Sequence, residues 1–154
     1  MSINPNPSFQ EVVTKVLKEN YVNCEGRARR YEFWMFVLFE FIVGVVVGFI
    51  VGFLIGLLGI KSLSFLIYVP DLVFLCPSFS LVVRRLHDIG KPGIYVLLAF
   101  IPLVGGIILL VFMCTDSVPE TNEYGPSPKY GNVNPSSLNI DHRNMSPTPY
   151  YIII

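Results

Sequence analysis

The sequence is short of charge. Only 14% of its 154 residues are Asp, Glu, Lys or Arg, where a soluble globular domain carries about 25%. A water-soluble enzyme of this length needs a charged surface, so the ordinary cytosolic domain is the first class excluded. The charge that is present balances, 11 basic residues against 11 acidic. A nucleic-acid-binding domain would be strongly basic, so nucleic acid is not an expected partner. Cysteine is scarce too: Cys24, Cys76 and Cys114 are odd in number and far apart, which excludes a disulfide framework and a CxxC metal or redox pair. What the chain has instead is apolar residues, 53% of the total, with a mean hydropathy of +0.59. These observations point to a small integral membrane protein.

The apolar residues are concentrated. No charge occurs between Glu40 and Lys61, and the run 41–60 is Ile, Val, Leu, Phe and Gly throughout. A helix rises about 1.5 Å per residue, so about 20 such residues cross a ~30 Å hydrocarbon core. With the aromatic start Phe33-Trp34-Met35-Phe36 this predicts a first span over 33–58. A second span is expected over 63–83, kinked at Pro70 and Pro77, and a third over 94–114, interrupted only by Pro102 and Gly105-Gly106. The first 30 residues are polar and lack an early apolar stretch, so no cleaved signal is expected.

The predicted fold is therefore an all-α integral membrane protein: a membrane domain of three transmembrane helices over 31–114, with flanks at 1–30 and 115–154. In the first flank Phe9, Val12, Val13, Val16, Leu17 and Tyr21 recur at helical spacing, and Ser8 with Glu11 reads as a capping box. They predict an amphipathic helix over 9–21, lying on the membrane surface or binding a partner. The last flank is rich in Pro, Asn and Ser and is expected to be loop or disordered. Five basic residues precede the first span and three follow the second, against one in the first loop and two in the tail. With three spans, the positive-inside rule places the N-terminus in the cytoplasm and the tail outside.

Three constellations carry chemistry. Gly44, Gly48, Gly52 and Gly56 form a ridge along span one, where another helix, from the same chain or another copy, can approach closely. Glu40 and Asp71 are intramembrane acids, which mark a functional site unless they merely satisfy local groups. Counted from the inner ends of their spans they lie about 14 and 18 Å deep, with Pro102 near 12 Å, so the three could share one polar layer. Finally Arg27, Arg29 and Arg30 before span one and Arg84, Arg85, His87, Asp88 and Lys91 after span two meet on the predicted inner face. Arg27, Arg30, Arg84, Arg85, His87 and Asp88 are the candidates for engaging anionic lipid headgroups or a partner. Asp88 is expected to pair with an arginine across the two motifs, and Gly90 to end its helix. His87 beside Asp88 could serve as metal ligands or as a base and its orienting carboxylate, but neither reading has the further ligands or nucleophile it needs. No cofactor or metal is expected.

These motifs resemble a known family. Gly26-Arg27-Ala28-Arg29-Arg30-Tyr31-Glu32-Phe33-Trp34, then Arg84-Arg85-Leu86-His87-Asp88-Ile89-Gly90-Lys91, Ile101-Pro102-Leu103-Val104-Gly105 and Asn122-Glu123-Tyr124-Gly125-Pro126-Ser127-Pro128 are similar, in order, to the bacterial inner-membrane family called domain of unknown function 805. The likeness covers roughly 16–130. Ile94-Tyr95 stands where that family often has two tryptophans, and Asp71 is outside its pattern. The resemblance implies a compartment and an architecture and transfers no catalytic residue. From the residues, a non-enzymatic membrane module is expected, with membrane lipids, a second copy or another membrane protein as partners. The rival is a small transporter or channel subunit using Glu40 and Asp71.

Overall fold

The computed structural model describes residues 7–131. The first six residues, and 132–154 of the predicted tail, lie outside them. The described residues are helical, with two isolated β-bridges, Asn122 with Gly125 and Ser127 with Gly131, in place of any strand. The chain runs through α1 (Phe9–Thr14) with a π-helical turn (Lys15–Glu19), α2 (Arg30–Leu58), a 3-10 helix (Lys61–Tyr68), α3 (Val69–Asp88), a second 3-10 helix (Gly93–Phe100) and α4 (Val104–Cys114).

Two stretches are long and apolar enough to cross a membrane, Arg30–Leu58 and Lys61–Asp88. Their outer surfaces are apolar: Phe49 is 75% exposed and Leu72 is also 75% exposed. Side chains of this kind on an open surface belong in lipid or against a partner. At 29 residues α2 is about 43 Å long, more than the ~30 Å hydrocarbon core.

Of the two prolines expected to kink the second span, Pro70 opens α3 in its first turn and Pro77 lies within it, where the group it frees finds a partner. Pro77 has no N–H to give the carbonyl of Val73 one turn earlier. The Tyr21 hydroxyl donates to that carbonyl at 2.6 Å, and Ser78 Oγ donates to the next one, of Phe74, also at 2.6 Å. Gly90 ends α3 as expected. Its φ of 70° suits a residue without Cβ, and the N–H groups of Lys91 and Gly90 close on the carbonyls of Leu86 and His87 at 2.9 and 3.1 Å. That is the Schellman pattern of a helix terminus.

The N-terminal helix carries its capping box, with Ser8 N–H donating to Glu11 Oε2 at 2.9 Å and Glu11 N–H to Ser8 Oγ at 3.3 Å. Its α-helical part is shorter than predicted, ending at Thr14. Its apolar side faces the chain's own core: Val12 and Val16 are buried, Phe9 packs on Phe39, and Lys15 pairs with Glu32 at 3.0 Å. The core gathers Val16, Ala28, Phe33, Phe36, Leu81, Leu86, Ile89 and Met113 near the Arg30 end of α2 and the Asp88 end of α3.

The third span differs from expectation. Residues 94–114 do not form one helix; the chain reverses at Ile101–Leu103, and the 3-10 helix Gly93–Phe100 packs against α4 as a hairpin. Leu103 takes a φ of 64°, unusual for a leucine. The reversal also brings the Leu98 carbonyl so close to Gly105 that a Cβ there would collide with it. In consequence Cys114 returns to the end from which α2 started, where its carbonyl lies 3.4 Å from Arg30 Nη1. The segment 115–131 packs beside Arg27, His87 and Asp88. The expected placement of this part of the tail, across the membrane from the N-terminal motif, is corrected accordingly. Hydropathy scores a stretch that turns back the same as one that crosses, because both bury the same residues in lipid.

Candidate functional site

Residues far apart in sequence meet in a buried polar knot where α2 begins and α3 ends. Asp88 is its centre. Arg27 Nε donates to Oδ1 at 3.1 Å, while Arg85 Nη1 and Ser117 Oγ donate to Oδ2 at 2.6 and 2.5 Å. The Asp88 carbonyl accepts from Arg27 Nη2 at 3.0 Å and from the Val118 N–H at 3.1 Å. Arg27 extends to the carbonyls of Val118 and Glu120 at 2.5 and 2.8 Å, and Arg85 to the carbonyl of Thr115. The side chains of Arg27, Arg85 and Asp88 are 1%, 0% and 0% exposed. Buried charges persist only when paired and hydrogen-bonded, and here the two arginines and one carboxylate meet that condition with the help of backbone carbonyls.

The predicted pairing of Asp88 with an arginine of the first motif is therefore present, as Arg27. The same burial withdraws most of the predicted lipid-facing cluster. Arg27, Arg84, Arg85 and Asp88 are all turned inward, and Arg27, Arg85 and Asp88 fasten the helix end to the segments beside it. Of the six candidates Arg30 stays open, its side chain 46% exposed. Arg84 is buried with its Nε and Nη2 unpartnered among the described residues.

His87 and Asp88 do not address each other. The His87 Nδ1 lies 3.2 Å from the Gly26 carbonyl, and its ring stacks on Tyr124 with centroids 3.7 Å apart and planes 3° from parallel. The His87 carbonyl accepts from Asn122 Nδ2 at 2.8 Å. Ser117, Asn122 and Tyr124 thus belong to the knot. The last two fall in a quoted motif, whereas nothing in the sequence marks Ser117. Among the described residues no three His, Cys, Asp or Glu side chains gather as a metal site.

Outside the knot, Asp116 bridges Arg30 at 3.4 Å and Lys129 at 2.6 Å. Burial pushes the Asp116 carboxyl up and the Lys129 ammonium down, but their hydrogen bond and mutual charge outweigh it. Asp116 is held below its ordinary value and Lys129 above.

The two intramembrane acids come together. Glu40 of α2 and Asp71 of α3 line one cavity of about 290 Å³ with Phe74, Leu75 and Ser78, and Ser78 Oγ lies within hydrogen-bond reach of Glu40 Oε1. Pro102, placed in the same layer by depth alone, sits instead at the hairpin reversal. Ser78 was legible only as part of a kink. The ridge, by contrast, stays unpaired among the described residues: nothing of theirs lies within 4 Å of where a Cβ would stand at Gly44, Gly48, Gly52 or Gly56.

The family model described as "Protein of unknown function (DUF805)" matches residues 21–126, which include every residue of the knot and both acids. Inner membrane protein YhaI of Escherichia coli (strain K12) is 42% identical over 116 residues, covering 75% of this chain and 93% of the relative. Inner membrane protein YhaH of the same organism is 40% identical over 119 residues, with the same two coverages. No solved structure matches.

Proposed function

The chain belongs to the DUF805 family, and from that premise we propose that it is a small non-enzymatic module of the bacterial inner membrane. In this reading its first span packs against a helix of a second copy through Gly44, Gly48, Gly52 and Gly56, and its cytoplasmic face engages anionic lipid. One observation carries it: among the described residues nothing lies within 4 Å of where a Cβ would stand at any of the four glycines, while the core cluster is built from other residues. In lipid there is little hydrophobic drive between helices, so close backbone approach at small residues is a main source of association. Replacing Gly48 and Gly52 together by leucine is expected to weaken self-association about tenfold or more, equivalent to about 1.4 kcal/mol. Energy transfer between labelled copies in vesicles would measure it, and unchanged transfer would refute the ridge.

The topology within this reading is two crossings and a re-entrant hairpin. Its 3-10 limb of eight residues is about 16 Å long and the α4 limb of 11 residues also about 16 Å, each half of the ~30 Å core. With the segment 115–131 returned to the N-terminal side, nine of the ten basic residues among the described residues share that side and Lys61 faces the other. This separation supports a cytoplasmic N-terminus. A reporter fused after Tyr130 should show the same cytoplasmic location as one fused at the N-terminus; opposite locations would restore three crossings.

A second reading is favoured by the cavity shared by Glu40, Asp71 and Ser78: a small transporter or channel subunit passing a cation or proton at that layer. Cation flux in proteoliposomes, lost in a Glu40→Gln/Asp71→Asn variant, would establish it. Flux that survives the double change would dispose of it.

A further inference from the structure

The cleft beside the start of α2 has the layout of one lipid molecule. It measures about 660 Å³ and is lined by Arg30, Tyr31, Trp34, Met35, Leu38 and Cys114. Arg30 stands at one end, and Trp34 and Leu38 follow at one-turn intervals along α2, where they are 40% and 47% exposed. The cleft therefore runs from a cation, through an aromatic level, to an apolar wall parallel with the span. Tyr and Trp favour the depth of lipid headgroups, where one end of the ring is wet and the other apolar.

Among the described residues, the charge around Arg30 is unbalanced. Arg30 and Lys129 both lean on Asp116, so two positive charges share one negative and one positive charge is left over. Arg30 is also loosely held. Its contacts with Asp116 and with the Cys114 carbonyl are both 3.4 Å, at the long end for a hydrogen bond. A phosphate oxygen, which a guanidinium binds at about 2.8 Å and can meet with two parallel donors, would compete well for it.

We propose that this cleft is a binding site for one anionic phospholipid, with the phosphate on Arg30 and Lys129 and an acyl chain laid along Trp34, Met35 and Leu38. The proposal rests on the lipid-engaging half of the function given above and names its site.

Trp34 is the sole tryptophan of the chain, so its fluorescence reports this cleft. The full chain is reconstituted in phosphatidylcholine vesicles containing increasing fractions of either phosphatidylglycerol or phosphatidylcholine brominated on the acyl chain. Brominated phosphatidylglycerol should reach half-maximal quenching at a mole fraction about fivefold lower, the preference that one net positive charge gives near the headgroups. An Arg30→Gln/Lys129→Gln variant should bring the ratio to one, and Asp116→Asn, which removes the competing carboxylate, should widen it. Equal quenching by the two lipids in the natural chain overturns the site, as does a preference that survives the double change. If the double variant misfolds, seen as a shifted Trp34 emission in unbrominated vesicles, Asp116→Asn decides: a wider ratio supports the site and an unchanged one overturns it. The phosphatidylglycerol retained by the purified chain reads the broader claim. Its enrichment without selectivity at Trp34 overturns this cleft alone, and no enrichment overturns the lipid-engaging reading as well.

Discussion

Replacing Asp88 by alanine should destabilise the protein by about 3–5 kcal/mol, the cost of leaving buried charges without their partner. Arg27 and Arg85, 1% and 0% exposed, would face each other across the vacated position with no carboxylate between them. The Ser117 hydroxyl and its hydrogen bond at 2.5 Å would lose their acceptor too. Most native proteins have only about 5–15 kcal/mol to spare, so the variant should be found largely degraded in cells and should unfold at much lower denaturant in detergent. Ser117→Ala removes one partner only, and should cost about 1–3 kcal/mol. A set of changes replacing Arg27, Arg85 and Asp88 together by apolar residues of similar volume should cost less than Asp88→Ala alone, because no unpaired charge is left buried. If Asp88→Ala melts like the natural chain, the knot is not what fastens the three segments.

Gly105→Ala should cost about 1–3 kcal/mol, while Gly106→Ala, one position along, should be neutral or slightly stabilising. The two glycines are alike in sequence and both lie in α4. They differ in what a methyl group would meet: the backbone carbonyl of Leu98 at Gly105, and nothing within 4 Å at Gly106. A backbone oxygen cannot move aside as a side-chain tip can, so the hairpin must open or shift. At Gly106 the added Cβ brings only the better helix propensity of alanine. Thermal unfolding of both variants, with proteolysis around Leu98–Val104, checks the contrast. Equal effects at the two positions would mean that the limbs of the hairpin do not pack at Gly105.

Several features of the molecule were legible before any fold was known, each for a local reason. The run 41–60 can live only in an apolar setting, so span one was fixed by composition. Ser8 and Glu11 form a capping box, and Gly90 ends a helix, because these patterns act within four residues of chain. The pairing of Asp88 with an arginine could be anticipated from charge alone, since a carboxylate flanked by arginines at a helix end seeks one. That Arg27 is the arginine of the first motif that joins it, and that Ser117 does so too, depends on contacts spanning 61 and 29 residues. Sequence spacing does not encode those distances. The burial of the basic cluster is hidden in the sequence for the same reason: a run of arginines reads as a solvated face until the partners that bury it are in place.

By itself, then, the sequence determined the solvent of this protein, its helical class and the residues that punctuate its helices, because hydropathy and capping are properties of a residue and its near neighbours. The tertiary structure alone decided that residues 94–114 turn back at Leu103 instead of forming one helix, that Arg27 and Arg85 face inward while Arg30 faces out, and that Glu40 and Asp71 share a cavity. Lipid accepts an apolar segment on either course. The choice between them rests on a backbone reversal and on hydrogen bonds between distant segments, which exist only once the chain has folded.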